Sequence, residues 1–351
     1  MAISRRALLW SAGGIALGFG GLRALMVDYD IDKRSPGYGP LVRDPRSILD
    51  LPPGFTYQVI SATGETMDDG LLVPGAHDGM AAFPGPDGRT LLVRNHEVNP
   101  TQEVIGAFGL GCRLLDRIDP TRLYDAGIGS TPGLGGTVTL VYHGAARRLE
   151  RHFLSLGGTL RNCAGGPTPW GSWLTCEETV LRVRDRVDLA KDHGYVFEVP
   201  ASADMNLHKA EPLRAMGRFN HEAAAVDARS GCVYLTEDRG GPPSFLRTWY
   251  GLGLLYRFVP SKPGELARGG KLQALRVRDR HGLDTTNWDE AQVAPGQPLA
   301  VDWIDLDQPE SPEDDLRHQG RSKGAASFTR GEGIWAADGT IWFCCTDGGR
   351  R

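Results

Sequence analysis

Acidic side chains close four separate segments of this 351-residue chain, and a second candidate donor opens three of them. The segments are HDGMAAFPGPDGRTLLVRNHE (77–97), NCAGGPTPWGSWLTCEE (162–178), NHEAAAVDARSGCVYLTEDR (220–239) and GEGIWAADGTIWFCCTD (331–347). Cys163 to Glu177, Glu222 to Glu237 and Glu332 to Asp347 are 14, 15 and 15 residues apart, a hairpin length repeated three times. Glu97, Glu178, Glu237 and Asp347 occupy the closing positions. Unpaired carboxylates gathered in one place repel and are costly to desolvate, and a hard cation with oxygen ligands relieves both costs. The alternative is that each acid serves its own turn or pairs with Arg94 or Arg239.

Neighbouring residues of a regular strand point to opposite faces, so His96 and Glu97, or His221 and Glu222, cannot both face one site. The carboxylates are the expected ligands, and each histidine is expected as a packed partner, with metal ligation the alternative. Cys163, followed by Ala164, Gly165 and Gly166, is either a small buried residue or a thiolate ligand that would favour iron among the carboxylates.

The elements that must position these residues are short strands joined by tight turns, in keeping with 47 glycines and short apolar runs. Asp87 with Gly88 marks the first turn, and strands follow near 90–94, 194–199 and 253–259. A repeated hairpin whose acids recur at the same position predicts an all-β chain, a β-propeller in which the inner strands line a channel. A β-sandwich also uses short strands but does not account for the recurring acids. Repeats this far apart require insertions, and the segment 278–321, with its acidic run at 305–315, reads as one such solvated insertion.

Charge and motifs narrow the function. A formal net charge of -4 provides no basic surface for nucleic acid or an anionic membrane. No GxSxG elbow, HExxH or Walker loop is present. Arg5 and Arg6 precede a weakly apolar, glycine-containing stretch, which reads as a twin-arginine export signal over residues 1–26 and implies the twin-arginine machinery as a partner. This segment would be the chain's one contact with a membrane, whether cleaved or kept as an anchor. A leader at 27–50 and a propeller domain at 51–351 complete the expected organisation. The six cysteines show no CxxC zinc pattern and are expected to be mostly buried strand residues.

RNHE at 94–97, NCAGG at 162–166, TPWGSWLTCEE at 168–178, GRFNHEA at 217–223, LTEDR at 235–239 and RGEG at 330–333 together resemble the PhoX-type alkaline phosphatases. The resemblance spans about residues 51 to 349. It implies a six-bladed propeller, periplasmic or secreted, whose channel holds iron (Fe3+) and calcium and hydrolyses small phosphorylated substrates. It implies Cys163, Glu222 and Glu332 as iron ligands and Arg330 as a phosphate contact. Calcium would be held by Glu97, Glu177 or Glu178, and Glu237. Such a site needs no protein nucleophile, because cations and a bidentate guanidinium neutralise the phosphoryl oxygens. The resemblance also predicts a further outer strand and a closing blade beyond CCTDGG, so the propeller is expected to be incomplete at this end. A calcium-dependent propeller lactonase would use the acids without Cys163 or Arg330. A non-catalytic binding propeller need hold no iron.

Overall fold

Strand-forming segments rich in Val, Leu, Phe and Trp are separated by turns whose residues accept positive φ, and this alternation fixes the architecture. The computed structural model describes residues 37–129, 131–240, 252–288 and 290–349. The proposed export signal, with Arg5 and Arg6, lies outside the described residues. The chain divides into two compact units, Met1–Val59 and Ile60–Arg351. In the first, Asp44 accepts hydrogen bonds from the amides of Arg46, Ile48 and Leu49 and from the Tyr57 hydroxyl. Among the described residues no helix is long and apolar enough to cross a membrane.

The second unit contains four antiparallel sheets. The first runs in the order β1 (His77–Pro84), β2 (Thr90–His96), β3 (Gly135–His143), β4 (Arg148–Thr159). The second is β5 (Asn162–Pro167), β6 (Ser172–Glu177) and β7 (Val196–Pro200). The third is β8 (His221–Val226), β9 (Val233–Glu237), β10 (Leu255–Pro260), β11 (Gly270–Val277) and β12 (Val301–Asp305). The fourth is the hairpin β13 (Gly331–Ala337) and β14 (Thr340–Cys345). Asp87 and Gly88 turn the first hairpin, and Asp338 and Gly339 turn the last, all four with φ between 50° and 73°. An Asp-Gly pair tolerates that left-handed geometry and so fixes the register of the strands it joins.

Successive sheets pack face to face. Phe83, Val93 and Phe153 of the first meet Trp173 and Phe197 of the second. Leu174 and Val196 of the second meet Leu235, Tyr256 and Phe258 of the third. Ala223 and Leu255 of the third meet Ile334 and Phe343 of the fourth. The first strand of each sheet is the innermost, and β1 touches β5, β5 touches β8, and β8 touches β13. This all-β arrangement agrees with the expectation at the level of strands and hairpins. The described residues form four sheets and no closed ring.

Part of the expected insertion at 278–321 is structural. β12 extends the third sheet, and the helix α1 (Leu316–Ser322) buries Leu316 against that sheet's core. The acidic run is not simply solvated, since Glu313 pairs with Arg182 and Arg184, and Asp314 pairs with Arg317. Sequence reading missed β12 because its strand is short and flanked by prolines and acids. The cysteines also differ from expectation: all six are free, and only Cys112 and Cys176 are buried.

Two local devices hold the inner strands. Gly166 on β5 lies against β8, and a Cβ there would overlap the carbonyl oxygen of Ala224. Behind β6, the fully buried His193 is held by Glu177 through Nδ1 at 2.6 Å and by Asp125 through Nε2 at 3.3 Å. Burial opposes charge on His193, but the two carboxylates outweigh it and raise its pKa to about 9.

Each device predicts a measurable effect. Gly166→Ala should force β5 and β8 apart and lower stability by about 2 kcal/mol or more. Gly144→Ala, in a turn with nothing near the new Cβ, should leave the melting temperature within error. For His193, whose pKa is raised in the folded state, the stability is full below the ordinary 6.5 and lost as pH rises through about 9. Melting temperatures of the wild type and His193→Gln should therefore differ most near pH ~6 and converge toward pH ~10. A difference independent of pH would contradict a charged His193.

Candidate metal centre

The inner strands do not run as regular ladders at their starts. Pairing slips between His77 and Met80, Asn162 and Gly165, His221 and Ala224, and Gly331 and Ile334. Such bulges re-aim the side chain that sits in them. The residues in the four irregular stretches include Asp78, Cys163, Glu222 and Glu332, each second in its strand.

A second set of side chains enters from the far end of each hairpin. His77 pairs with His96, Asn162 with Glu177, His221 with Glu237 and Gly331 with Cys345. The next residues are Glu97, Glu178, Asp238 and Thr346. Their amides donate to the carbonyls of Ala76, Arg161, Asn220 and Arg330 at 2.8, 2.9, 3.3 and 3.1 Å. One hydrogen bond therefore closes the mouth of all four hairpins in the same way. Ala76, Arg161 and Arg330 adopt φ of 46°, 48° and 48° there, a left-handed geometry costly for a non-glycine residue.

The result is a continuous run of donors. Asp78, Glu97 and Cys163 form one group, Cys163, Glu178 and Glu222 a second, and Glu222, Asp238 and Glu332 a third. Within each group the ligand atoms lie within 4.8 Å of one another, and Cys163 and Glu222 are shared between groups. The Cys163 thiol donates to Glu222 Oε1 at 3.3 Å. The Asn95 amide fixes the Cys163 loop by donating to the carbonyls of Cys163 and Ala164 at 2.9 and 2.8 Å, and its own oxygen accepts from the Trp173 indole.

Burial and mutual repulsion leave their mark on these groups. Burial, reinforced by Glu178, Glu332 and Asp238, pushes Glu222 up to about 8. Glu178 rises to about 7, mainly from burial, although Arg161 opposes the shift. Asp78 is raised by burial and by Glu97, and the Cys163 thiol is raised strongly by burial and by Glu222. Against six carboxylates and a thiol stand, among the described residues, two guanidiniums in direct contact. Arg161 pairs with Glu97 at 2.8 Å and with Glu178. Arg330 grips Asp238 through Nε at 3.0 Å and Nη2 at 2.7 Å, and reaches Glu332 at 2.9 Å. A thiol among hard carboxylate oxygens is a donor set that could hold metal ions.

Most residues expected at the site are brought together here: Cys163, Glu222, Glu332, Glu97, Glu178 and Arg330. Glu177 and Glu237 fall outside the donor groups. Glu177 is fully buried and accepts from the amides of Leu160, Gly194 and Tyr195 as well as from His193. Glu237 accepts from the Leu254 amide and the Tyr256 hydroxyl and lies 3.6 Å from Arg317. Both face away because they are the last residues of their strands, and the position that faces inward is the next one. In the fourth hairpin the equivalent position is Thr346, whose hydroxyl donates to Glu332 at 2.7 Å. His96 and His221 are buried beside the carbonyls of Gly75 and Gly217, as the alternation argument expects. Arg330 precedes β13 rather than opening it, so its nearness to Glu332 comes from the left-handed turn and not from strand alternation. Asp78 and Asp238 were missed, and aligning each hairpin on its mouth residues would have found both.

No curated protein matches this chain. Among solved structures, the fold is similar to Pseudomonas fluorescens PhoX in complex with vanadate, a transition state analogue, with a TM-score of 0.54 and 18% sequence identity. The similarity covers 84% of this chain and 65% of that one, so the chain spans less than two thirds of that protein's length. Residues 36–141 and 143–351 match the family described as alkaline phosphatase PhoX. The match extends over nearly all of the second unit and every donor described above, and the chain belongs to the PhoX alkaline phosphatase family.

Proposed function

We infer that the chain is a metal-dependent phosphomonoester hydrolase, part of a six-bladed propeller, that acts outside the cytoplasm after twin-arginine export. The observation that carries this reading is the run of donors from Asp78 to Glu332, assembled from four hairpins. In this reading Cys163, Glu222 and Glu332 hold iron, and Glu97, Glu178, Asp78 and Asp238 hold calcium. Bound cations would neutralise the phosphoryl oxygens and activate the attacking water. The vanadate bound by the related Pseudomonas fluorescens protein supports a site built for a phosphoryl group in transit.

The protein's own contribution is to orient charge. Asp238 holds both the Nε and Nη2 edges of Arg330, and this contact raises the guanidinium's pKa still further, so the side chain is a fixed cation. A guanidinium released toward a phosphoryl group would give a bidentate, charge-assisted contact. The presence of Cys163 and Arg330 within one donor run favours phosphoryl transfer over a calcium-only lactonase, which needs neither.

Purified, metal-loaded protein should hydrolyse p-nitrophenyl phosphate and lose that activity on chelation. Arg330→Ala should lower kcat/KM about 30- to 1,000-fold with metal retained, the cost of one transition-state contact. Glu332→Gln should lose metal and activity together. Full activity in Arg330→Ala would remove the phosphate contact. Export is tested separately: Arg5→Lys with Arg6→Lys should trap the protein in the cytoplasm, and unchanged export would exclude the twin-arginine route.

A further inference from the structure

The four hairpin mouths share one closing hydrogen bond and differ in the residue that accepts it: Ala76, Arg161, Asn220 and Arg330. Arg161 and Arg330 agree in backbone conformation, in backbone hydrogen bonding and in the placement of the acids they pair with. Each immediately precedes an inner strand with φ of 48°. The Arg161 amide donates to the Val98 carbonyl and the Arg330 amide to the Arg239 carbonyl, both at 3.2 Å. Val98 and Arg239 follow Glu97 and Asp238, and each arginine side chain pairs with the acid of that preceding hairpin, at 2.8 Å for Glu97 and 2.7 Å for Asp238. Each also reaches an acid of its own hairpin, Glu178 or Glu332. Glu178 lies in the electrostatic field of both guanidiniums.

The Arg161 side chain is about one third exposed, at 33%, so it borders the open side of the donor run. Its Nε is buried and has no hydrogen-bond partner among the described residues, so the two carboxylates do not use every donor of the guanidinium. The exposed part of the guanidinium can make a charge-assisted contact to an anion. Glu97 and Glu178 are themselves donors toward a cation, and a cation that takes them leaves Arg161 free for an anion.

We propose that Arg161 is a second phosphate contact, the counterpart of Arg330 two hairpins away, so that the phosphoryl group of a monoester is held by two guanidiniums. This rests on the phosphatase reading above. It makes no use of bond making or breaking, because Arg161 stays protonated and serves as an anion contact only.

The test is calorimetric titration of inorganic phosphate into metal-loaded wild type, Arg161→Lys, Arg161→Ala and Arg330→Ala, with metal content measured on each sample. Arg161→Ala should bind phosphate about 10- to 100-fold more weakly with wild-type metal content, and KM for p-nitrophenyl phosphate should rise more than kcat falls. Arg161→Lys keeps the charge and loses the fork, and should fall between wild type and Arg161→Ala. Wild-type phosphate affinity in Arg161→Ala would overturn the proposal while leaving the phosphatase reading intact. Loss of metal in both Arg161 variants would also overturn it, by making Arg161 a support for Glu97 and Glu178 alone. A wild type that binds no phosphate and hydrolyses no monoester would overturn the phosphatase reading and this proposal together.

Discussion

Like charges at one place in a partly dry protein repel, and the fold here depends on tolerating that repulsion at the mouths of four hairpins. Asp78, Glu97, Glu178, Glu222, Asp238 and Glu332 approach one another closely, and among the described residues Arg161 and Arg330 answer them with direct ion pairs. Burial above all, with the neighbouring acids adding to it, raises Glu222 to about 8 and Glu178 to about 7. A bound cation would relieve the repulsion between these acids without protonation, and so would add to the stability of the site.

Holding such a site requires rigid backbone, and the rigidity comes from repetition. Four ladder slips aim four side chains, and four equivalent amide-to-carbonyl bonds fix the residues that follow the second strands. Gly165 and Gly166 remove the side chains that would hold β5 away from its neighbours. Behind this layer the acids that face away are not idle. Glu177 gathers three amides and His193, and Glu237 gathers the Leu254 amide and Tyr256 beside Arg317, so each hairpin mouth is anchored from outside while its neighbour faces in.

Much of this was legible in the sequence, for a physical reason: hairpins of constant length place equivalent residues at constant spacing. The recurring segments located all four inner hairpins, and strand alternation separated Glu97 from His96 and Glu222 from His221. What failed was register at the closing end. An acid that ends a strand and an acid just beyond it look alike in sequence, and only the pairing of His221 with Glu237 reveals that Asp238 is the inward residue. β12 was hidden by its polar flanks, and the counterpart relation of Arg161 to Arg330 was invisible because it rests on φ and on backbone hydrogen bonds.

The central claim is that a thiolate-bearing metal centre forms where Cys163 joins the first two donor groups. X-ray absorption at the iron edge of the purified, metal-loaded protein tests it most directly. The account predicts iron with one sulfur neighbour among oxygens, and loss of the sulfur signal in Cys163→Ser. Iron bound by oxygen alone in the wild type, or a sulfur signal that persists in Cys163→Ser, would contradict it.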